Sequence, residues 1–258
     1  MTKRFVDISV RLESEIQSDP SFMLPEIEYH THDNTAEQIC AFFPGLKPSD
    51  LPDGEGWAVE RVHLSTHNGT HVDAPWHYHS TMDGGKRAIA IDEVPLEWFM
   101  QRGVRLDLRS YEDGYVIQPD DLEREFQKLD YQLKALDIVL ANTAAGARYG
   151  YDDYLMRGCG FGRDATLWLT ERGVRVVGTD AWSWDAPFGH TVVKWERTRD
   201  PAIIWEGHKA GRERGYCQIE KLGNLEQLPN FGFTVCCFPV KIKNASAGWT
   251  RAVAILDE

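Results

Sequence analysis

Three things are missing from this chain, and each absence removes a class of protein. It has no closely spaced cysteine pair with metal-ligand geometry: the five cysteines, Cys40, Cys159, Cys217, Cys236 and Cys237, include no Cys-Xaa-Xaa-Cys. A thiolate zinc site is therefore not expected, and an odd number without a paired framework reads as reduced thiols of a cytoplasmic protein. There is no run of about 18 apolar residues, and the start, Met1 to Asp7, reaches an aspartate before any apolar stretch develops, so neither a membrane span nor a secretory leader is expected. Positive charge is scarce. The formal net charge of −12, with no basic stripe to offset it locally, would repel a phosphate backbone and argues against nucleic acid as a partner.

What is present suits a globular enzyme. With 258 residues, 42% of them hydrophobic, the chain can bury a sizeable core without disulfides. Short β-rich runs at 4–10, 59–66, 104–108, 137–141, 174–179, 202–205, 233–242 and 252–256 alternate with helical segments. A helix is expected from Pro119, with acids in its first turn and Leu122 four residues before Phe126, and another over Ala165 to Arg172, capped by Asp164 and ended by Gly173. This alternation predicts an α/β fold with a mixed sheet and no linker that divides it. The stretch from Ser18 to Gly56 is rich in proline, acids and aromatics, with one expected helix from Thr35 to Phe43, and reads as an inserted loop that could cover a site.

The chemistry is concentrated in His67-Asn68-Gly69-Thr70-His71-Val72-Asp73-Ala74-Pro75-Trp76-His77. All four candidate groups are odd-numbered, so an extended segment would turn them to one face, whereas Gly69 and Pro75 oppose a helix. At roughly 3.3 Å per residue a flat strand would hold His67 and His71 about 13 Å apart, so a bend at Asn68-Gly69 is expected. Imidazole nitrogens and a carboxylate suit zinc or manganese and leave positions open for water. His67, His71 and Asp73 read as ligands. His77, beyond Pro75, reads as a free base that takes a proton from a water activated by the ion. The isolated histidines His30, His32, His63 and His190 read as ordinary solvated side chains. His208 and Glu220, twelve positions apart, carry no such signal on spacing alone.

The window matches every fixed position of His-Xaa-Gly-Thr-His-Xaa-Asp-Xaa-Pro-Xaa-His, and so resembles the cyclase family of metal-dependent hydrolases, which includes kynurenine formamidases and isatin hydrolases. His208, Glu220, Leu222, Asn224-Leu225 and Leu228-Pro229 are similar to that family's second metal-binding segment, and Gly178-Thr179-Asp180 with Ser183 and Asp185 to its Gly-Thr-Asp strand end. The resemblance implies a single domain over 1–258 of the cyclase-type swivelling β/β/α fold, with the insertion at about 18–56. It implies that His67, His71, Asp73, His208 and Glu220 bind one or two divalent ions, zinc or manganese, with Asp73 able to bridge them and His77 as general acid/base. The expected activity is hydrolysis of an aryl formamide, cyclic amide or lactone. The rivals are a metal-dependent lyase or dehydratase, or a protein whose ion is purely structural. The expected partner is a small aromatic or cyclic substrate, walled by Trp57, Trp76, Trp182, Trp184 and Phe188, in a homodimer or homotetramer.

Overall fold

The computed structural model describes residues 2–257. Nine strands form one mixed sheet, in the spatial order β1 (Lys3–Asp7), β15 (Val253–Asp257), β13 (Phe231–Cys236), β7 (Met100–Asp107), β9 (Ile138–Asn142), β11 (Val176–Thr179), β12 (Cys217–Glu220), β4 (His71–Asp73) and β14 (Ala247–Trp249). Three two-stranded ribbons lie outside it: β2 (Glu26–His30) with β3 (Val59–His63), β5 (Thr81–Met82) with β6 (Lys86–Arg87), and β8 (Val116–Ile117) with β10 (Gly160–Phe161). The helices are α1 (Ala36–Cys40), α2 (Pro75–Tyr78), α3 (Pro119–Leu129), α4 (Arg163–Glu171), α5 (Phe188–Thr198) and α6 (Glu206–Ala210), none long and apolar enough to cross a membrane.

Strands β7, β9, β11 and β12 are parallel, and the flanking pairs are antiparallel. The parallel strands need crossovers, supplied by α3 between β7 and β9, α4 between β9 and β11, and α5 with α6 between β11 and β12. Every residue of β9, β11 and β12 is buried, which explains the largely apolar sequence of β9 and β11, while β12 buries the polar Gln218 and Glu220 alongside its apolar positions. Alternation then divides β9 and β11 between two cores, while β12 turns its apolar residues to one of them. Ile138, Leu140, Val176 and Ile219 pack with Val235 and Ala254 on one face, while Val139, Ala141 and Val177 pack with Leu122, Phe126 and Leu169 of the crossover helices on the other.

Helix α3 starts as expected, with Pro119 at its first position and the Gln118 amide donating to Asp121 Oδ2 at 2.8 Å. Helix α4 does not. It begins at Arg163, one residue before the expected cap, because Glu206 Oε2 accepts the Arg163 amide at 3.1 Å, and Asp164 pairs with the Arg163 side chain instead. Residues 202–205 form no strand: Pro201 opens a short 3-10 turn whose Ala202 amide donates to Asp200 Oδ1 at 2.9 Å, and Trp205 turns left-handed at φ 59°. Strand β3 forms within the expected run 59–66, with every residue exposed, and pairs with β2 outside the main sheet. The helix expected over Thr35 to Phe43 contracts to Ala36–Cys40.

Leu140 is fully buried in the centre of the sheet. Leu140→Ala should lower unfolding free energy by about 2–5 kcal/mol, read from urea denaturation at unchanged m-value. A loss under about 1 kcal/mol would contradict the close packing described.

Candidate metal centre

Strand β4 is only three residues long, yet it carries two of the site's side chains. Pairing with β12 sets His71 opposite Glu220 and Asp73 opposite Gln218, and pairing with β14 sets His71 opposite Trp249 and Asp73 opposite Ala247. His71 and Asp73 share a face as expected. His67 and His77 reach them differently. Gly69 sits at φ 58°, where an added Cβ would meet Leu12 Cδ2 at 2.6 Å, and this turn folds His67 back over Asp73. Beyond extended Ala74, Pro75 begins the single turn α2, which swings His77 inward. The odd-numbered spacing therefore describes a strand face only at 71 and 73. The other two histidines converge through a turn on each side.

His208 comes from α6, and Glu220 from the end of β12. The six expected side chains thus meet. His67 Nδ1 lies 2.9 Å and His71 Nε2 3.3 Å from Asp73 Oδ1, and His77 Nε2 and His208 Nε2 each lie 3.9 Å from Asp73 Oδ2. Glu220 is 3.6 Å from both His71 Nε2 and His208 Nε2. His77, expected to sit too far along the chain, is as near Asp73 as His208 is. Two triads, His67-Asp73-His77 and His71-Asp73-Glu220, share Asp73 with ligand atoms within 4.8 Å of one another.

What distinguishes His77 is the far side of each ring. His71 Nδ1 donates to the Gly69 carbonyl at 2.9 Å, His208 Nδ1 donates to Asp185 Oδ2 at 2.5 Å, and His67 Nε2 pairs with Ser246 Oγ at 3.0 Å. Each of these rings is fixed at one nitrogen and turns the other toward the carboxylates. Asp185 is itself held by the Gly207 and His208 amides at 2.8 and 3.0 Å. Among the described residues His77 has no such partner, and it packs edge-on against Trp205, centroids 5.1 Å apart. Ser246 and Trp205 had no sequence signal as site residues, since each is an ordinary residue type brought in by topology.

Burial alone would hold His71 neutral, but the Asp73 and Glu220 carboxylates push it up to about 9. Burial likewise opposes charge on His208, and Asp185 with Glu220 raises it. Asp73 is held well below the usual carboxylate range, burial being overcome by His77, His67 and His71. Burial lowers His77 to about 4, with His67 and His208 adding to the effect against Asp73. His71 Nε2 and both Asp73 oxygens are buried without a well-formed hydrogen bond, which a mixed nitrogen and oxygen donor set would resolve around a divalent ion. The residues fit a metal.

A cavity of about 170 Å³ opens onto the cluster, lined by Asp19, Met23, Trp182, Phe188, Trp205 and Lys221 beside His67, His77, His208 and Glu220. Of the expected aromatic walls, Trp182 and Phe188 are there. Trp184 instead stacks on Phe161 at 3.8 Å in the core, Trp57 packs on Phe42, and Trp76 is exposed away from the cavity. A depression of about 810 Å³ around Arg105, Asp107 and Arg109 is larger but has no clustered metal-ligating side chains.

Because His71 carries its proton below about pH 9, loading zinc or manganese at pH 7 should release at least one proton per ion, and affinity should rise with pH until about 9 and then level. Calorimetry in buffers of different ionisation enthalpy measures the release. No release would show that the His71 ring does not give up its proton to an ion.

The family model described as "Putative cyclase" matches residues 6–186. The kynurenine formamidase of Bordetella petrii is 26% identical over 218 residues, covering 80% of this chain and 89% of that protein, and the kynurenine formamidase of Maricaulis maris is 28% identical over 195 residues, covering 76% and 79%. An isatin hydrolase bound to the product analogue thioisatinate shares the fold at TM-score 0.73 and 18% identity, covering 99% of this chain and 93% of its own. Isatin hydrolase A from Labrenzia aggregata, bound to benzyl benzoate, does so at TM-score 0.71 and 24% identity, covering 99% and 94%. With the family match running from within β1 past the Gly-Thr-Asp strand end and including His67, His71, Asp73 and His77, this chain belongs to the cyclase family.

Proposed function

We propose that the protein is a metal-dependent hydrolase of an aryl formamide, a cyclic amide or a lactone. The observation that carries this reading is the buried set of His71 Nε2 and the two Asp73 oxygens, which face one another and the neighbouring rings without a well-formed hydrogen bond among the described residues. His67, His71, Asp73, His208 and Glu220 would hold one or two ions, zinc or manganese by donor type, with the Asp73 carboxylate facing all three of those rings. A divalent ion there supplies a Lewis acid that polarises a carbonyl and lowers the pKa of water.

The remaining chemistry belongs to the side chains. His77 is neutral well above pH 4, so a ring nitrogen can take the proton from the attacking water. The same low basicity makes the protonated ring a strong acid, able to pass that proton to the leaving nitrogen or oxygen. Ser246, Gly69 and Asp185 hold the other three rings in place, so that only His77 is free to turn between the two tasks. Trp182, Phe188, Trp205 and Met23 offer an apolar wall to a planar ring, in keeping with relatives named for a kynurenine formamide and for isatin.

Two measurements test the reading. With metal content unchanged, His77→Ala should lower kcat on the best aryl amide or lactone by about 10²–10⁴-fold. Turnover in ¹⁸O-labelled water should place one solvent oxygen in the product carboxylate. A fully active His77→Ala would sink the proton role, and an unlabelled product would favour an elimination over hydrolysis.

A further inference from the structure

Asp19 lies in the proline-rich excursion, far in sequence from most of what it touches, and is 1% exposed. Its Oδ1 meets Lys221 Nζ, on a side chain equally buried, and accepts the Trp182 indole N–H at 2.9 Å. Its Oδ2 accepts Asn68 Nδ2 at 3.0 Å and Ser18 Oγ at 3.1 Å. The Asn68 amide also donates to the Met23 carbonyl at 2.7 Å, and Lys221 Nζ to the His67 carbonyl at 2.8 Å. One carboxylate therefore ties together four distant stretches of chain. Asp19, Met23, Trp182 and Lys221 all line the cavity over the metal centre.

Stability alone does not account for this arrangement, since replacing a buried ion pair by apolar residues of similar volume is often neutral or stabilising. Position does account for it. Lys221 is itself left-handed at φ 56°, directly after Glu220, and its carbonyl accepts Thr70 Oγ1 at 2.6 Å, so the backbone there is set by contacts on both sides. Trp182 meets Phe188 edge-on at 5.4 Å, so the indole that Asp19 orients also fixes the next aromatic of the wall.

We propose that Asp19 is a specificity-determining positioning residue: held by Lys221, its carboxylate sets Trp182 directly and the Met23 backbone through Asn68, and so shapes the cavity for a planar aromatic ring. The substrate class rests on the hydrolase reading above, whereas the decisive measurement is one of binding. On this assignment the excursion contributes a recognition element to the site as well as covering it.

The test uses the metal-loaded protein with benzoate and acetate as probes, one presenting a planar ring to the wall and the other not. The parent protein should bind benzoate more tightly than acetate. Asp19→Asn should weaken benzoate by about tenfold to a hundredfold and leave acetate unchanged, the size expected for losing a hydrogen bond to a charged group. Trp182→Phe removes the donor to Asp19 together with part of the indole and leaves the Asp19–Lys221 pair intact, so unchanged benzoate affinity in it would overturn the assignment even if Asp19→Asn does not fold. Both should keep the parent's metal content. Equal benzoate affinity in folded Asp19→Asn or in Trp182→Phe, equal weakening of both probes, loss of metal from Trp182→Phe, or a parent without preference for benzoate would overturn the assignment. A parent that prefers benzoate but hydrolyses no aryl amide or lactone would remove the hydrolase reading and leave this one in place.

Discussion

The antiparallel seating of β4 between β12 and β14 is the constraint on which the site depends. Three residues of strand place the Asp73 carboxylate at the centre of the sheet's far end, fully buried, with Glu220 arriving one strand away. Two buried carboxylates so close together repel each other and lose their hydration, and a fold tolerates them only if cationic or donor groups surround them. Here the surrounding groups are His67, His71, His77 and His208. A one-residue slip of β4 would turn His71 and Asp73 to the opposite face and leave Glu220 unopposed, so register and chemistry are fixed together.

Around that centre the supporting contacts are backbone or short polar groups, which hold a ring with little freedom of their own. The Gly69 carbonyl, Asp185 and Ser246 each bind one imidazole nitrogen, and Asp185 is in turn fixed by two amides at the start of α6. Trp205, left-handed at φ 59°, immediately precedes that helix and stacks on His208 at 4.3 Å. A bulky residue in this conformation costs about 1–3 kcal/mol. The strain is spent where the chain must turn sharply to deliver His208 and a wall of the cavity at once.

Much of this was legible in the sequence, and the limits have physical causes. The parallel strands β9 and β11 and helix α3 are local signals, strong because burial and proline at a first turn leave a pattern in neighbouring residues. His67, His71, Asp73 and His77 were visible as chemistry packed into one short window. The bend at Asn68-Gly69 was legible too, from the reach of a flat strand, whereas the helical turn from Pro75 that swings His77 inward was not, because odd-numbered spacing looks the same whether the segment stays extended or turns. His208 and Glu220 could be placed only by family resemblance, since their contact is made through sheet order and spacing says nothing of it. The Asp164 cap failed because Glu206, more than forty residues away, supplies the acceptor. Asp19, Ser246 and Trp205 were missed for the same reason: their roles exist only after the chain has closed.

The arrangement of protons suggests why such a concentration of buried charge can fold before any ion arrives. Asp73 and Glu220 are both held in the ionised range, while His71 and His208 are both raised by the carboxylates that face them. The buried carboxylates and the rings that face them therefore favour charge on one another, Asp185 included. A dication bound among these groups would supply positive charge where the carboxylates already draw it from the rings, so the same packing suits both states. His77 stands outside this balance, because burial and the neighbouring rings disfavour its charge. On the proposed reading, metal would be exchanged for protons at the rings that Gly69 and Asp185 hold in place, leaving His77 to move a proton during the reaction.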